Sequence, residues 1–113
     1  MSKGAQALLK IVEKIFPNQK VVFEHNIADR GGLFIDIYLP HLNIGFEYDG
    51  EQHVKFVEHF HGTKENFLMA RKRDQQKDEL CELAGIALVR VRYDEDMTID
   101  LVRDKIERAL DAI

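Results

Sequence analysis

Hydrophobic residues recur at helical spacing near both ends of the chain. This spacing predicts a first helix over residues 3–16, which Ser2 begins as N-cap and Pro17 ends. It also predicts a last helix, capped by Thr98, whose buried stripe consists of Ile99, Val102, Ile106, Ala109, Leu110 and Ile113. Each of these helices therefore has one apolar face that must pack against another element.

Short apolar runs between these helices have the length and alternation of β-strands. They predict four strands, over residues 20–24, 33–39, 44–48 and 86–93. The second and third strands are joined by a short turn and form a hairpin. On that hairpin Asp36 shares a face with Phe34 and Tyr38, and Glu47 shares a face with Asp49. Each strand of the hairpin thus carries a carboxylate where an aliphatic side chain is usual.

A third helical pattern covers residues 64–84 and ends at Gly85, a residue suited to the position beyond a helix end. Its apolar stripe consists of Phe67, Ala70, Leu80, Cys81 and Ala84. Because Arg71, Asp74 and Lys77 interrupt that stripe, this part of the helix is predicted to border a polar pocket. A strand, a long helix and a strand form a right-handed crossover, which makes the fourth strand parallel to the third.

The element order αβββαβα predicts an α/β fold with a four-stranded mixed sheet flanked by helices. At 113 residues the chain has the size of a single domain, spanning 1–113. Residues 28–32 and 54–63 are predicted loops, the second with a short helical turn as its alternative. The single cysteine, Cys81, excludes an internal disulfide, and no apolar run has the length of a transmembrane helix. Both features favour a cytosolic location and no membrane partner.

The hairpin brings carboxylates together in a pattern that indicates a metal ion. If its strands pair, Asp36 and Glu47 lie side by side, with Asp49 one pleat further along. Like charges repel each other, and a fold usually keeps them together when a divalent cation lies between them. The alternative is a set of solvent-facing carboxylates on a sheet edge. The surrounding sequences FIDIY and GFEYD are too apolar for such an edge.

Other polar residues have ordinary explanations beside functional ones. His53 follows the hairpin and is either a loop histidine or part of the site. Asp74 and Lys77 form either a solvated ion pair on the helix or part of the site. The basic cluster at 71–73 is common on solvated helix faces. The net charge of −4 and a pI near 5.7 argue against a nucleic-acid partner unless positive charge is concentrated locally.

The ordered set of motifs resembles the PD-(D/E)XK nuclease superfamily. Within it, the chain is similar to the very-short-patch-repair (Vsr-like) endonucleases and to the phage and homing endonucleases named for a dispersed E-D-x-H-D pattern. Asp36 matches the metal-binding aspartate at the end of the second core strand. The run from Glu47 to His53 reads E-x-D-G-x-Q-H, Asp74 matches the aspartate on the following helix, and the segment from Gly85 reads G-I-x-L-x-R-V. The resemblance covers nearly the whole chain.

This resemblance implies a restriction-endonuclease-like fold and a metal-dependent endonuclease that hydrolyses phosphodiester bonds in DNA. The implied ligands of Mg²⁺, for which Mn²⁺ can substitute, are Asp36, Glu47 and Asp49. His53 is implied as general base or transition-state donor, with Asp74 orienting it. The other expected site residues are Lys77 and the nucleic-acid contacts Arg71, Arg73, Arg90 and Arg92. Specificity is expected from a homodimer or a separate recognition domain, in the cytosol of a bacterium or a phage-infected host.

Two departures from the family pattern matter. The first-helix glutamate of the family falls where this chain has Ala5, so one group that helps to hold or orient the metal or its water is missing. A glutamate restored there is expected to be tolerated, because a helix N-terminus favours a negative side chain. The lysine that many of these enzymes carry two residues after the second acid is Asp49 here, and Lys77 is its candidate replacement.

The departures leave two further functions open. One is a binding module that keeps the nuclease fold but is catalytically weak or inactive, for which Ala5 is the main support. The other is a nuclease that acts on RNA or on branched DNA. Cleavage of DNA in the presence of Mg²⁺ separates the enzyme from the binding module.

Overall fold

The computed structural model describes residues 1–28, 32–51 and 62–113. In these parts of the chain, three α-helices and four β-strands follow one another in the predicted order. The elements are α1 (Lys3–Ile15), β1 (Val22–Asn26), β2 (Phe34–Leu39), β3 (Ile44–Asp49), α2 (Lys64–Leu83), β4 (Ala87–Arg92) and α3 (Ile99–Asp111). His53 and most of the predicted loop at 54–63 lie outside the described residues.

Local signals set the helix ends as predicted. The hydroxyl of Ser2 accepts a hydrogen bond from the N–H of Ala5 at 3.1 Å, and Thr98 caps α3 in the same way. Beyond the end of α2, Gly85 has a φ of +70°, the left-handed conformation that glycine adopts most easily. None of the described helices has the length and apolar character needed to cross a membrane.

The four strands form one mixed sheet in the order β1-β2-β3-β4. The β1–β2 and β2–β3 pairs are antiparallel. The β3–β4 pair is parallel, which confirms the predicted crossover through α2. β1 begins two residues later than the predicted run at 20–24 and continues to Asn26, because its limits follow its pairing with β2, for example at His25 and Ile35.

α1 and α3 cover one face of the sheet and enclose the larger apolar core. Its buried members are Leu8, Ile11, Val12, Ile37, Leu39, Ile44, Phe46, Ala87, Val89, Val91, Val102 and Ile106. The predicted stripe of α3 holds at Val102 and Ile106, but Leu110 and Ile113 are 47% and 67% exposed. The last turn of α3 borders a groove of about 430 Å³ instead of the packed core, so the predicted burial of these two residues is wrong.

α2 packs on the other side of the sheet, where the contact is only partly apolar. Cys81 is the one fully buried residue described for α2, and it joins a small cluster with Ile35, Tyr38 and Ile86. Burial raises the pKa of the Cys81 thiol to about 11, which keeps the thiol protonated as in an ordinary core cysteine. The middle of this helix therefore meets the sheet through polar side chains.

Asp74 and Lys77 are both half-buried on the face of α2 that contacts the sheet. Their position agrees with the predicted polar pocket. Arg71 and Ala84, which the sequence pattern assigns to the same stripe, are exposed. The face directed at the sheet runs instead through Asp74, Lys77 and Cys81, and the other two residues lie to its sides.

Ala5 is only 5% exposed in the first turn of α1. A helix N-terminus stabilises a negative side chain by about 0.3 to 1 kcal/mol, whereas burying an unpaired carboxylate costs several times more. The burial of Ala5 therefore argues against the expectation that a glutamate is readily tolerated at this position.

Candidate active site

Asp36 lies where the pairing between β2 and β3 ends. The last antiparallel pair in this direction is Ile37 with Phe46, and one further step in the same register places Asp36 opposite Glu47. The side chain of Asp36 accepts a hydrogen bond from the backbone N–H of Tyr48, with an N–O distance of 3.4 Å. The two carboxylates predicted to meet on the hairpin are therefore neighbours on the sheet.

Glu47 is the one buried charged residue in the described part of the chain, with 4% of its surface exposed. Lys77 reaches it from α2, and the distance from Lys77 Nζ to Glu47 Oε1 is 2.8 Å. The Lys77 side chain is itself only 14% exposed. The interpretation of Lys77 as a solvated surface residue is therefore wrong, because its ammonium group joins the helix to the buried carboxylate of the sheet.

The charge of Glu47 is costly in this position. Burial, followed by the negative charge of Asp36, raises the pKa of Glu47 from 4.5 to about 7. Lys77 and Arg90 act in the opposite direction without cancelling the increase. Near neutral pH the Glu47 carboxyl is consequently divided between its protonated and ionised forms, and a cation beside it would favour the ionised form.

Arg90 is held by the protein itself. Its guanidinium donates to Asp49 Oδ1 at 3.2 Å, to Asp78 Oδ1 at 2.7 Å and to the carbonyl oxygen of Asp74 at 3.3 Å. Although burial acts to lower it, the charges of Asp49 and Asp78 raise the pKa of Arg90 above its usual value. This network occupies most of the guanidinium donors of Arg90 and also engages the carboxylate of Asp49. Arg90 is therefore better suited to organising the site than to binding a phosphate, and Asp49 is better suited to that role than to binding a metal.

Two open clefts flank α2, and Asp74 borders both. We call the first the α2–β2 cleft; it has a volume of about 300 Å³ and is lined by Gly32, Leu33, Phe34, Asp36, Ala70, Arg73, Asp74 and Lys77. The second, the α2–β4 cleft, has a volume of about 530 Å³ and is lined by Asp49, Leu68, Arg71, Lys72, Asp74, Gln75, Asp78, Arg90 and Arg92. The predicted basic residues are thus divided, with Arg73 at the first cleft and Arg71 and Arg92 at the second.

The chemistry of the described acids suits a magnesium ion bound largely through water. Residues 1–28, 32–51 and 62–113 contain no group of three or more histidines, cysteines or acids placed to hold a metal. Mg²⁺, however, commonly uses one or two carboxylates, with water and substrate phosphates completing its six ligands. Asp36 and Glu47 supply two such oxygen donors, and a cation beside them would offset the burial and the Asp36 charge that raise the pKa of Glu47. Asp49 is the weakest of the three predicted ligands because Arg90 contacts it.

A family model described as "Protein of unknown function (DUF2726)" matches residues 46–110, which is more than half of the chain. The chain belongs to the DUF2726 family. The family segment begins in β3 and ends in α3, so it includes Glu47, Lys77 and Arg90 and leaves out Asp36.

Viral proteins are similar to parts of this DUF2726 chain. Uncharacterized protein 307L of Invertebrate iridescent virus 6 is 44% identical over 61 residues, which cover 54% of this chain and 31% of the viral protein. Uncharacterized protein 033L of Invertebrate iridescent virus 3 is 35% identical over 78 residues, which cover 69% of this chain and 40% of the viral protein. Uncharacterized protein 094L of Frog virus 3 is 36% identical over 62 residues, covering 54% and 40%. The chain thus spans less than half the length of these relatives. No solved structure matches it.

Sequence reasoning missed two residues that shape this DUF2726 site. Asp78 binds Arg90, and the only signal for it was its position one helical turn beyond Asp74. Gly4 lies against the ring of Tyr48, where a Cβ atom would be 2.1 Å from Cζ. No pattern in the sequence indicates that second contact, since it joins residues far apart in the chain.

Proposed function

We propose that this DUF2726 chain is a Mg²⁺-dependent endonuclease that hydrolyses phosphodiester bonds in DNA, with Mn²⁺ able to replace Mg²⁺. The observation that carries the proposal is the buried Glu47 beside Asp36 and in contact with Lys77, because both of these neighbours line the α2–β2 cleft. A stable core gains little from an acid whose pKa is raised to about 7, whereas acids with such perturbed pKa values cluster at functional sites. The element order and the parallel β3–β4 pair support a restriction-endonuclease-like fold as part of the same proposal.

In this proposal Asp36 and Glu47 hold the metal. The bound ion would supply charge stabilisation at the scissile phosphate and a more acidic water. Lys77 places its ammonium group against Glu47 and favours the ionised form of that carboxylate. This contact supports the idea that Lys77 replaces the strand lysine of the resembled enzymes, whose position is occupied by Asp49 here. His53 keeps its predicted role as base or transition-state donor, oriented by Asp74, on the strength of the sequence resemblance.

The charge distribution is compatible with a DNA substrate, although the whole chain is acidic. Arg71, Lys72 and Arg73 are exposed on α2 next to the clefts, and Arg92 is about half exposed on β4. They provide local positive charge for phosphate contacts. Since a net charge of −4 weakens non-specific DNA binding, we propose that specificity depends on a homodimer or on a separate recognition domain.

The proposal is tested by a plasmid-nicking assay with Mg²⁺, with Mn²⁺ and with EDTA. Asp36→Asn removes a metal ligand but keeps the side-chain volume, so it should lower the cleavage rate by about 10² to 10⁴-fold. The matched control is Asp104→Asn on α3, whose carboxylate is 61% exposed and pairs with Arg108. Both variants should have the circular dichroism spectrum of the parent.

The proposal fails if Asp36→Asn cleaves as fast as Asp104→Asn, or if EDTA leaves the cleavage rate of the parent unchanged. A DNA-binding module without catalysis is the second candidate, and the buried Ala5 at the expected glutamate position favours it. If the chain is such a module, the parent should bind labelled DNA in a fluorescence-anisotropy titration but should nick no plasmid with either Mg²⁺ or Mn²⁺.

A further inference from the structure

Phe34 presents an exposed aromatic ring to the α2–β2 cleft. The residue is 44% exposed and lines this cleft together with Asp36, two positions further along β2. Burial elsewhere on the strand is high, since Ile35 and Ile37 are completely buried. Phe34 is therefore a large apolar side chain left open to solvent beside the proposed catalytic acids.

The edge of the Phe34 ring occupies the space beside Gly32. A Cβ atom at Gly32 would lie 2.5 Å from Cε2 and 3.3 Å from Cζ of Phe34. A real Cβ does not approach another heavy atom that closely, so any side chain at Gly32 would push the ring out of its place. The absence of a side chain at Gly32 thus leaves room for the Cε2 edge of the ring while the residue stays open toward the cleft.

The opposite wall of the cleft comes from α2 and carries two cations, Arg73 and Lys77, beside the acid Asp74. Ala70 keeps that wall low, and Arg73 contributes an exposed guanidinium group. The cleft volume of about 300 Å³ is at the small end of the range for ligand sites, which suits one nucleotide unit better than a base pair within a duplex. An aromatic platform, a cation and the proposed metal-binding acid therefore line one small cleft.

We propose that the α2–β2 cleft binds one unpaired nucleotide, with its base stacked on Phe34 and its phosphate near Arg73. Stacking on an aromatic side chain requires an exposed base face, and duplex DNA hides those faces between neighbouring base pairs. The preferred substrate is then single-stranded or locally unpaired DNA. This inference rests on the proposed nuclease function and specifies its substrate class.

The test measures binding of a short single-stranded oligonucleotide that contains one 2-aminopurine, and of the same oligonucleotide in a duplex, with Ca²⁺ replacing Mg²⁺. The parent should bind the single strand more tightly and quench 2-aminopurine fluorescence on stacking. Phe34→Ala should weaken single-strand binding by about 5- to 100-fold and remove the quenching. Phe34→Tyr, which keeps an aromatic face, should retain both.

Two further variants make the comparison specific. Phe23→Ala is the matched control, because Phe23 is a 51% exposed phenylalanine on the neighbouring strand β1 that does not line this cleft. It should leave binding unchanged. Gly32→Ala keeps Phe34 but displaces its ring, and should lower the single-strand affinity in the same direction as Phe34→Ala.

The inference is overturned if Phe34→Ala and Phe23→Ala bind the single strand equally well, or if the parent binds duplex at least as tightly. Failure of the nuclease function gives a different result. In that case Phe34-dependent binding and quenching persist, but neither the single strand nor plasmid DNA is cleaved in Mg²⁺. The converse result is Mg²⁺-dependent cleavage that requires Asp36 but is unchanged in Phe34→Ala. That result would support the nuclease function and reject the unpaired-nucleotide site.

Discussion

Glu47 is the residue in which the structural and functional demands on this chain conflict most clearly. It occupies a β3 position next to Phe46, which is completely buried, and it faces both Asp36 and Lys77. A glutamine of the same size would avoid the cost of a buried charge. Because a buried ion pair is weak evidence for stability, the presence of a carboxylate here is better explained by a site than by the fold.

The first residue-scale prediction concerns the pH dependence of stability. Burial raises the pKa of Glu47 from its usual 4.5 to about 7 in the folded chain. Between these values the folded state keeps the proton that the unfolded state loses. Its contribution to stability is therefore complete below pH 4.5 and is lost as the pH rises through about 7. Glu47→Gln lacks this titration. Between pH 4.5 and pH 8 its free energy of unfolding should therefore rise relative to that of the parent, by up to about 3 kcal/mol.

Urea unfolding of the two proteins across this pH range measures the difference directly. Glu107→Gln, at an exposed position of α3, is the matched control and should follow the parent at every pH. A parent and a Glu47→Gln protein whose unfolding free energies stay parallel from pH 4.5 to 8 would show that burial does not perturb Glu47.

At the scale of elements, α1 packs against β3 through a contact between Gly4 and the ring of Tyr48. A Cβ at Gly4 would lie 2.1 to 2.5 Å from three ring carbons of Tyr48, so the ring fills the space that a side chain would need. Tyr48 also donates its backbone N–H to Asp36. The packing of the first helix is thus linked to the position of a proposed metal ligand through a single residue.

This contact predicts that Gly4→Ala destabilises the fold by about 1 to 3 kcal/mol, the usual cost of overpacking. Intrinsic helix propensity alone would give the opposite sign, since alanine exceeds glycine by about 1 kcal/mol. In a Tyr48→Ala background the clash is absent, and Gly4→Ala should become neutral or stabilising. Urea unfolding of the four proteins of this cycle tests the coupling, and additive effects of the two changes would contradict the contact.

The element order and the parallel β3–β4 pair could be predicted from the sequence because their signals are local. Caps, a glycine stop and apolar periodicity lie within a few residues of the boundaries that they set. The limits of β1 and the exposure of Leu110 and Ile113 could not be predicted. These features depend on which element lies next to β1 and to the end of α3. Hydrophobic periodicity identifies the apolar face of an element but does not show which element covers it.

The candidate site was only partly accessible to the same reasoning. The proximity of Asp36 and Glu47 follows from strand alternation, and the half-burial of Lys77 from its place in an apolar stripe. The engagement of Arg90 by Asp49 and Asp78 was not foreseen, because alternation showed its face but not the acids supplied by β3 and α2. An arginine pattern on a strand fits a phosphate contact and an internal ion-pair network equally well.

On the scale of the whole molecule, an acidic chain is proposed to act on an acidic polymer. Three acids, Glu47, Asp36 and Asp49, are buried or half-buried in the site, whereas the cluster Arg71-Lys72-Arg73 is exposed beside it. Metal binding would therefore change the local field at the clefts more than the net charge of −4 suggests. Folding, ion binding and DNA binding should consequently be coupled through the same few carboxylates.

This coupling predicts that millimolar Mn²⁺ raises the melting temperature of the parent. A ligand that binds only the folded state adds about 2.7 kcal/mol at a hundredfold excess over Kd, which corresponds to roughly 10 °C for a domain of this size. Glu47→Gln removes one of the two proposed ligands and should reduce the shift to a small fraction, whereas Glu107→Gln should show the full shift. The shift should also grow as the pH rises through about 7 and level off above it, because the ion binds the ionised form of Glu47 and competes with its proton. Differential scanning fluorimetry at several pH values measures these quantities. Equal shifts in all three proteins would place the ion at another site and would remove Glu47 from the metal centre.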